Sequence, residues 1–266
     1  MSAKTALFVL AALEMTFAAG CAVNPITGKR ELNLFATSDD IAIGRQYAPE
    51  VEKQLGGAIP DQQLQNYVNS VGQRVAASAA TPQFNYNFVA VNDKSMNALA
   101  LPGGHIFITK GLLEKLNTEA QLAGVLAHET VHVAARHSTH QMSQQIGIDI
   151  LLSAASRAGA SESTITMASL ATQLISLKFS RSQEEEADLG GLNYMIEAGY
   201  SPWGMVETMK ILEANSQGGS LEWLSSHPDP GNRVQYLTRT VQERNLPPNL
   251  VTSTGDYKRF VLDNLR

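Results

Sequence analysis

The sequence predicts an α+β fold, mostly helical, with a small β-sheet edge. Three observations carry this. Apolar residues recur at helical spacing along most of the chain. Alternating, strand-like patterns are confined to residues 84–91 and 97–108. No internal repeat and no long linker divides the chain after residue 38, so 38–266 reads as one domain.

Taken in order, residues 21–37 hold Asn-Pro and Thr-Gly and read as an extended tether. Ser38 has the chemistry of an N-cap, with Asp39 and Asp40 in the first turn of a helix that Gly56-Gly57 stops. Pro60-Asp61 opens a second helix, whose Leu64, Val68, Val71 and Val75 share one face. Phe84 to Val91 alternates as a strand. Asn97 to Ile108 reads as two short strands joined through Pro102-Gly103-Gly104. Thr118 caps a helix expected to run past His140. Gln144–Arg157 and Thr164–Phe179 are apolar but too short to span a bilayer, and read as buried helices. Further helices follow over Gln183–Glu197, from Ser201-Pro202 onward, and from Asn232 to about Arg244, the last after the tight loop His227-Pro228-Asp229-Pro230-Gly231.

Composition narrows the function. The 266 residues are 44% hydrophobic with a net charge of −5, which permits a buried core and disfavours a nucleic-acid partner bound through a basic face. Neither GxxxxGK[ST] nor GxGxxG occurs, so nucleotide chemistry has no support. The single cysteine excludes an internal disulfide and a Cys-rich metal module. Its position is informative. Lys4, the apolar run from Ala6 to Leu13 and Ala18-Ala19-Gly20 have the order of a secretory signal ending at Cys21. Ala-Ala-Gly-Cys resembles a bacterial lipobox, although Ala18 stands where Leu is usual. Residues 1–20 therefore read as a lipoprotein-type signal and Cys21 as the lipidation site.

The chemistry centres on His128-Glu129-Thr130-Val131-His132. Residues four apart lie on one helix face, so His128 and His132 can present two imidazole nitrogens to one metal. Glu129, about 100° round, can reach a water as general base without ligating. The pattern does not continue with Gly and His at 135 and 138, which are Ala135 and Ser138. On a continuous helix His137 lies about 180° from His128, as a surface or second-layer residue, like His140. A third ligand comes instead from ExxxD: in Glu184-Glu185-Glu186-Ala187-Asp188 only Glu184 has an acid four residues on. Asp188 is then the acceptor for a histidine N–H. Gly190-Gly191 within a helix costs about 1 kcal/mol each relative to Ala, which close helix–helix approach would explain.

These motifs, with Asn24-Pro25-Ile26-Thr27-Gly28-Lys29-Arg30, Asn97 to Gly104, Gly111-Leu112-Leu113, Ala198 to Pro202 and His227-Pro228 with Arg233, resemble the M48 metallopeptidase family, which includes Ste24/HtpX-type and periplasmic lipoprotein proteases. The resemblance implies a gluzincin-like domain with the sheet edge beside the HExxH helix. It also implies one zinc ion and endopeptidase activity on misfolded or misassembled envelope proteins. Zinc would activate water, and Glu129 would take its proton. His227 and Arg233, and more weakly Tyr200, are oxyanion donor candidates; His227 could instead ligate zinc and close the site. Substrate is expected to add as a strand along Asn97, Ala98, Leu99 and Ala100. The implied location is the bacterial envelope, facing the periplasm and more readily the outer than the inner membrane, with polypeptide substrates and assembly machinery as partners. A chaperone using the same groove is the alternative, but it has no need of Glu129.

Overall fold

The computed structural model describes residues 21–156, 167–215, 223–227, 232–253 and 255–265. The signal-type stretch, the Gly218-Gly219 break and Pro228 to Gly231 lie outside these residues. Helices dominate, and two small sheets complete an α+β architecture.

Residues 21–37, expected to be extended, form instead an antiparallel pair, β1 (Cys21–Val23) with β2 (Arg30–Leu32). Asn24 closes the turn between them. Its side-chain oxygen accepts from Ile26 N and Thr27 N, and Gly28 takes φ +69 beyond it. These are the bonds of an Asx turn, which Asn-Pro and Thr-Gly favour over an extended linker. The first helix, α1 (Thr37–Gln54), starts two residues earlier than a cap at Ser38 implies: Ala36 is the cap, and its N–H donates to Asp39 Oδ2 at 2.7 Å.

Helix α2 (Gln62–Ala76) is capped as predicted, with Asp61 Oδ1 accepting from Leu64 N at 2.7 Å, and it buries Leu64, Val68, Val71 and Val75. The sheet strands are β3 (Asn87–Val91), β4 (Ala98–Ala100) and β5 (His105–Thr109), in the order β3-β5-β4. β5 is central, parallel to β3 and antiparallel to β4, so β4 is an edge. The β4–β5 turn needs glycine: Gly103 and Gly104 have φ +81 and +111.

After the short helix α3 (Lys110–Leu113) comes α4 (Glu119–Ala134), capped by Thr118 and buried at every residue. It packs against the sheet edge β4 and against α2, α7 (Arg181–Glu197) and α8 (Trp203–Asn215). α4 does not run past His140. Arg136 adopts φ +58, and the chain restarts as α5 (His137–Ser156). Left-handed backbone is costly outside glycine, and Arg136 is held there by an ion pair to Asp40 and a bond to Phe35 O at 2.7 Å. α6 (Met167–Ile175) buries Ala171 and Leu174 against α1, consistent with a buried rather than a spanning helix. Among the described residues no helix is long and apolar enough to cross a membrane.

Two further helices are α9 (Trp223–Ser226), which His227 directly follows, and α10 (Arg233–Gln242). α10 is not the last: α11 (Gly255–Tyr257) and a turn over Lys258–Leu262 follow, with Tyr257 buried and its hydroxyl donating to Leu113 O.

Close approach of α8 to α4 can be tested at Gly204. A Cβ there would stand 2.3 Å from Ala120 O. Helix propensity alone favours Gly204→Ala by up to about 1 kcal/mol. The contact predicts the opposite sign, a loss of about 1–3 kcal/mol in denaturant unfolding, because backbone cannot yield as a side chain can.

Candidate metal centre

Two helices build the site. α4 is buried all round, so its two histidines and Glu129 lie in the interior rather than at a surface: His128, Glu129 and His132 are at most 1% exposed. α7 lies against it through Gly190 and Gly191, where added Cβ atoms would come within 3.0 Å of Val131 Cγ2 and 3.3 Å of His128 N. This is the close approach that the glycine pair predicts. It brings Glu184 to His128 and His132, with carboxylate-to-Nε2 separations of 3.5 and 3.4 Å.

The ligand atoms of His128, His132, Glu184 and His227 all lie within 4.8 Å of one another. His128 Nε2 and His132 Nε2 are 3.0 Å apart, and His227 Nδ1 is 3.3 Å from His128 Nε2 and 2.9 Å from Glu184 Oε1. The opposite nitrogen of His128, Nδ1, is 2.9 Å from Asp188 Oδ1, so it carries the proton and leaves Nε2 a lone pair. Lone pairs and a carboxylate thus converge on one buried point, a donor set that fits a metal ion. Charge agrees. The buried carboxylates Glu129, Glu184 and Asp188 face the single guanidinium of Arg233, a deficit that a dication fills. Both Glu129 carboxylate oxygens are buried without a hydrogen bond among the described residues, and Oε1 lies 3.7 Å from His227 Nε2.

Electrostatics separates the carboxylates. Burial pushes Glu129 up, and the neighbouring His227 and His128 offset this only in part. Burial acts on Asp188 in the same direction, but the Arg233 charge and the hydrogen bond from His128 outweigh it and bring Asp188 down to about 2. Glu184 is also held low, because His227 and the bonds from His128 and His132 overcome its burial. Burial would lower His128, yet Asp188 and Glu184 hold it up at about 9, so proton and metal compete for its Nε2.

Arg233 stands elsewhere than an oxyanion donor needs. Its Nε and Nη2 donate to Asp188 at 2.8 and 2.6 Å, and Nη1 lies 3.2 Å from Glu184 Oε2. The guanidinium is spent behind the ligands. Tyr200 is also excluded from the cluster: Arg74 lies over its ring, and its hydroxyl interacts with Glu119, at the far end of α4. His227 is brought in, stacked on Trp223 with ring centroids 4.1 Å apart. Asn97, Ala98, Leu99 and Ala100 lie at and beside the edge strand, next to α4.

Sequence reasoning missed two contributors. Tyr236 donates to Asp188 Oδ2; its place one turn after Arg233 on an amphipathic helix was a usable signal. Phe179 packs on the His132 ring at 4.1 Å between centroids. His137, expected at the surface or in a second layer, is fully buried with Nδ1 2.9 Å from His132 Nδ1, and the break at Arg136 rather than a continuous helix brings it there.

Residues 62–241 match peptidase family M48, a span that includes every residue of this cluster. The chain is 29% identical over 231 residues to the beta-barrel assembly-enhancing protease of Yersinia pestis, covering 82% of this chain and 46% of that protein. It is 27% identical over 231 residues to the mitochondrial metalloendopeptidase OMA1 of Schizosaccharomyces pombe, covering 82% and 66%. Identity to metalloprotease YcaL of Escherichia coli K12 is 29% over 183 residues, covering 66% and 72%. The chain spans about half the length of the beta-barrel assembly-enhancing proteases it matches. Family match and buried donor set agree with the resemblance read from the motifs: the chain belongs to peptidase family M48.

Proposed function

We propose that this chain is a zinc-dependent endopeptidase acting on polypeptides of the bacterial envelope. The observation that carries the proposal is the unpartnered Glu129 carboxylate beside four converging metal-ligand atoms. A binding module has no use for a buried carboxylate left without a hydrogen bond, which costs stability. Zinc held by His128, His132 and Glu184 would polarise the scissile carbonyl and acidify the attacking water.

Glu129 would serve as the base that accepts a proton from the attacking water and as the acid that returns it to the leaving amine. Its raised pKa suits both halves, since a base that is too acidic would not accept the proton. Asp188 fixes the tautomer of His128, and Arg233 with Tyr236 fixes Asp188. His227 rests against Glu184 and Glu129 at once, so we assign it as a fourth ligand in a closed resting state. When it moves aside, its imidazole is available to the oxyanion.

Substrate adds along β4. Thr109 N bonds Asn97 O and Leu101 N bonds His105 O, so odd-numbered residues face β5 while Ala98 and Ala100 turn their backbone groups away from it, on the side where an added strand would pair. Small side chains there favour loose sequence selectivity. The names of the bacterial relatives support envelope proteins and their assembly machinery as substrates and partners. The signal-type stretch and Cys21 support a lipid anchor facing the periplasm, at the outer membrane.

Glu184→Gln should lose most bound zinc by elemental analysis while Glu185→Gln keeps it; full occupancy in the Glu184 variant would remove Glu184 from the ligand set. Glu129→Gln should retain zinc and lose casein hydrolysis by at least about 100-fold; near-normal turnover would assign the proton to another group. Because a base works only when deprotonated and Glu129 is raised, the acid limb of kcat/KM should fall above pH 4.5, the ordinary glutamate value. A limb at or below 4.5 would contradict Glu129 as the titrating base. His227→Ala should raise basal proteolysis; a fall in kcat with zinc retained would instead make His227 a transition-state donor.

A further inference from the structure

The N-terminal hairpin reaches the metal centre through a chain of polar contacts. His132 turns Nε2 into the cluster, so as a ligand it carries its proton on Nδ1. That Nδ1 meets Nδ1 of His137 at 2.9 Å, which must then accept, leaving the His137 proton on Nε2. His137 Nε2 is buried without a hydrogen bond among the described residues and faces Glu186 Oε1 at 3.5 Å. Glu186 Oε1 accepts from Asn24 Nδ2 at 2.7 Å, and the same amide reaches Glu31 Oε1 at 3.1 Å. Asn24 is only 3% exposed, and its own oxygen is fixed by two backbone N–H groups of the β1–β2 turn.

Donors run from His132 to His137 to Glu186, and Asn24 donates to the same Glu186 oxygen from the hairpin side. His128 has a carboxylate directly behind it, whereas His132 has an imidazole with a carboxylate behind that. Two separate features bring the parts together. The left-handed Arg136 swings His137 back beside His132, and Arg136 is itself held by Asp40 and Phe35 O, the residue shortly after the hairpin. Glu186, two residues after Glu184, projects about 200° round α7 from it, away from the cluster and toward Asn24.

We propose that His137, backed by Glu186 and Asn24, is the positioning group for His132, and that the β1–β2 hairpin is therefore a working part of the metal centre. This rests on the reading of His128, His132 and Glu184 as zinc ligands. Without His137, the His132 ring is free to rotate or to take the wrong tautomer, and the ligand set loses preorganisation. If His137 merely filled space, an apolar side chain of similar size would serve.

The test uses the full chain and zinc, with affinity read by competition against a chromophoric chelator and unfolding followed in parallel. His137→Leu should bind zinc about 10- to 100-fold more weakly, the usual loss when a partner of a metal-ligating histidine is removed. His137→Asn should recover most of that loss, because its Oδ1 can stand where Nδ1 stood and accept from His132. Asn24→Ala, further along the path, should weaken zinc binding in the same direction by a smaller factor. Unchanged affinity in His137→Leu, or a loss that His137→Asn does not recover, would overturn the positioning role; an unaffected Asn24→Ala would overturn the share given to the hairpin. Failure of the wild type to bind zinc would overturn the protease reading and this inference with it, and that outcome is visible before any variant is made.

Discussion

Gly190 and Gly191 let α7 lie so near α4 that a Cβ on Gly191 would stand 3.3 Å from the His128 backbone nitrogen and 2.7 Å from Met205 Cε. A helix pair with ordinary side chains at the contact keeps its axes about 8–10 Å apart. Here the short Glu184 side chain has to reach two imidazoles on the facing helix, and Asp188, one turn on, has to reach the back of one of them. The helix-propensity cost of the glycines is set against that reach. Everything else in the site is arranged around this contact: α10 brings Arg233 and Tyr236 to Asp188, and His227, directly after α9, meets His128 and Glu184.

Burial makes the arrangement consequential. Removing a carboxylate from water costs several kcal/mol unless charge or hydrogen bonds replace the lost hydration. Asp188 is compensated by Arg233, Tyr236 and His128, and is accordingly held acidic. Glu129 has no such set and is held basic. Two buried carboxylates of one small site are thereby shifted in opposite directions, Asp188 down and Glu129 up.

Much of this was legible in the sequence, for identifiable reasons. His128, Glu129 and His132 declare themselves because helical periodicity places them together, and Glu184 and Asp188 because one register alone satisfies ExxxD. The sheet edge followed from alternation around Pro102-Gly103-Gly104. What failed was whatever depended on a backbone exception. Nothing in the local sequence requires φ +58 at Arg136, so a continuous helix was expected and His137 was set on its far side. Likewise residues 21–37 have a linker's composition, and only the contacts of Asn24 with Glu186, Asn33 with Thr139 and Leu34 with Ser143 show them packed. Arg233 was recognised as part of the site but given the wrong neighbour, because sequence order does not reveal that a guanidinium has been used up on Asp188.

The claim on which the rest stands is that two helices present a nitrogen–oxygen donor set to one metal. Zinc K-edge X-ray absorption on the purified full chain, with metal stoichiometry measured on the same sample, addresses it most directly. We expect one zinc per chain, nitrogen and oxygen neighbours only at about 2.0–2.2 Å, and multiple-scattering features from at least two imidazoles. Absence of stoichiometric metal, or a sulfur neighbour at about 2.3 Å, which only Cys21 or a methionine could supply, would contradict it.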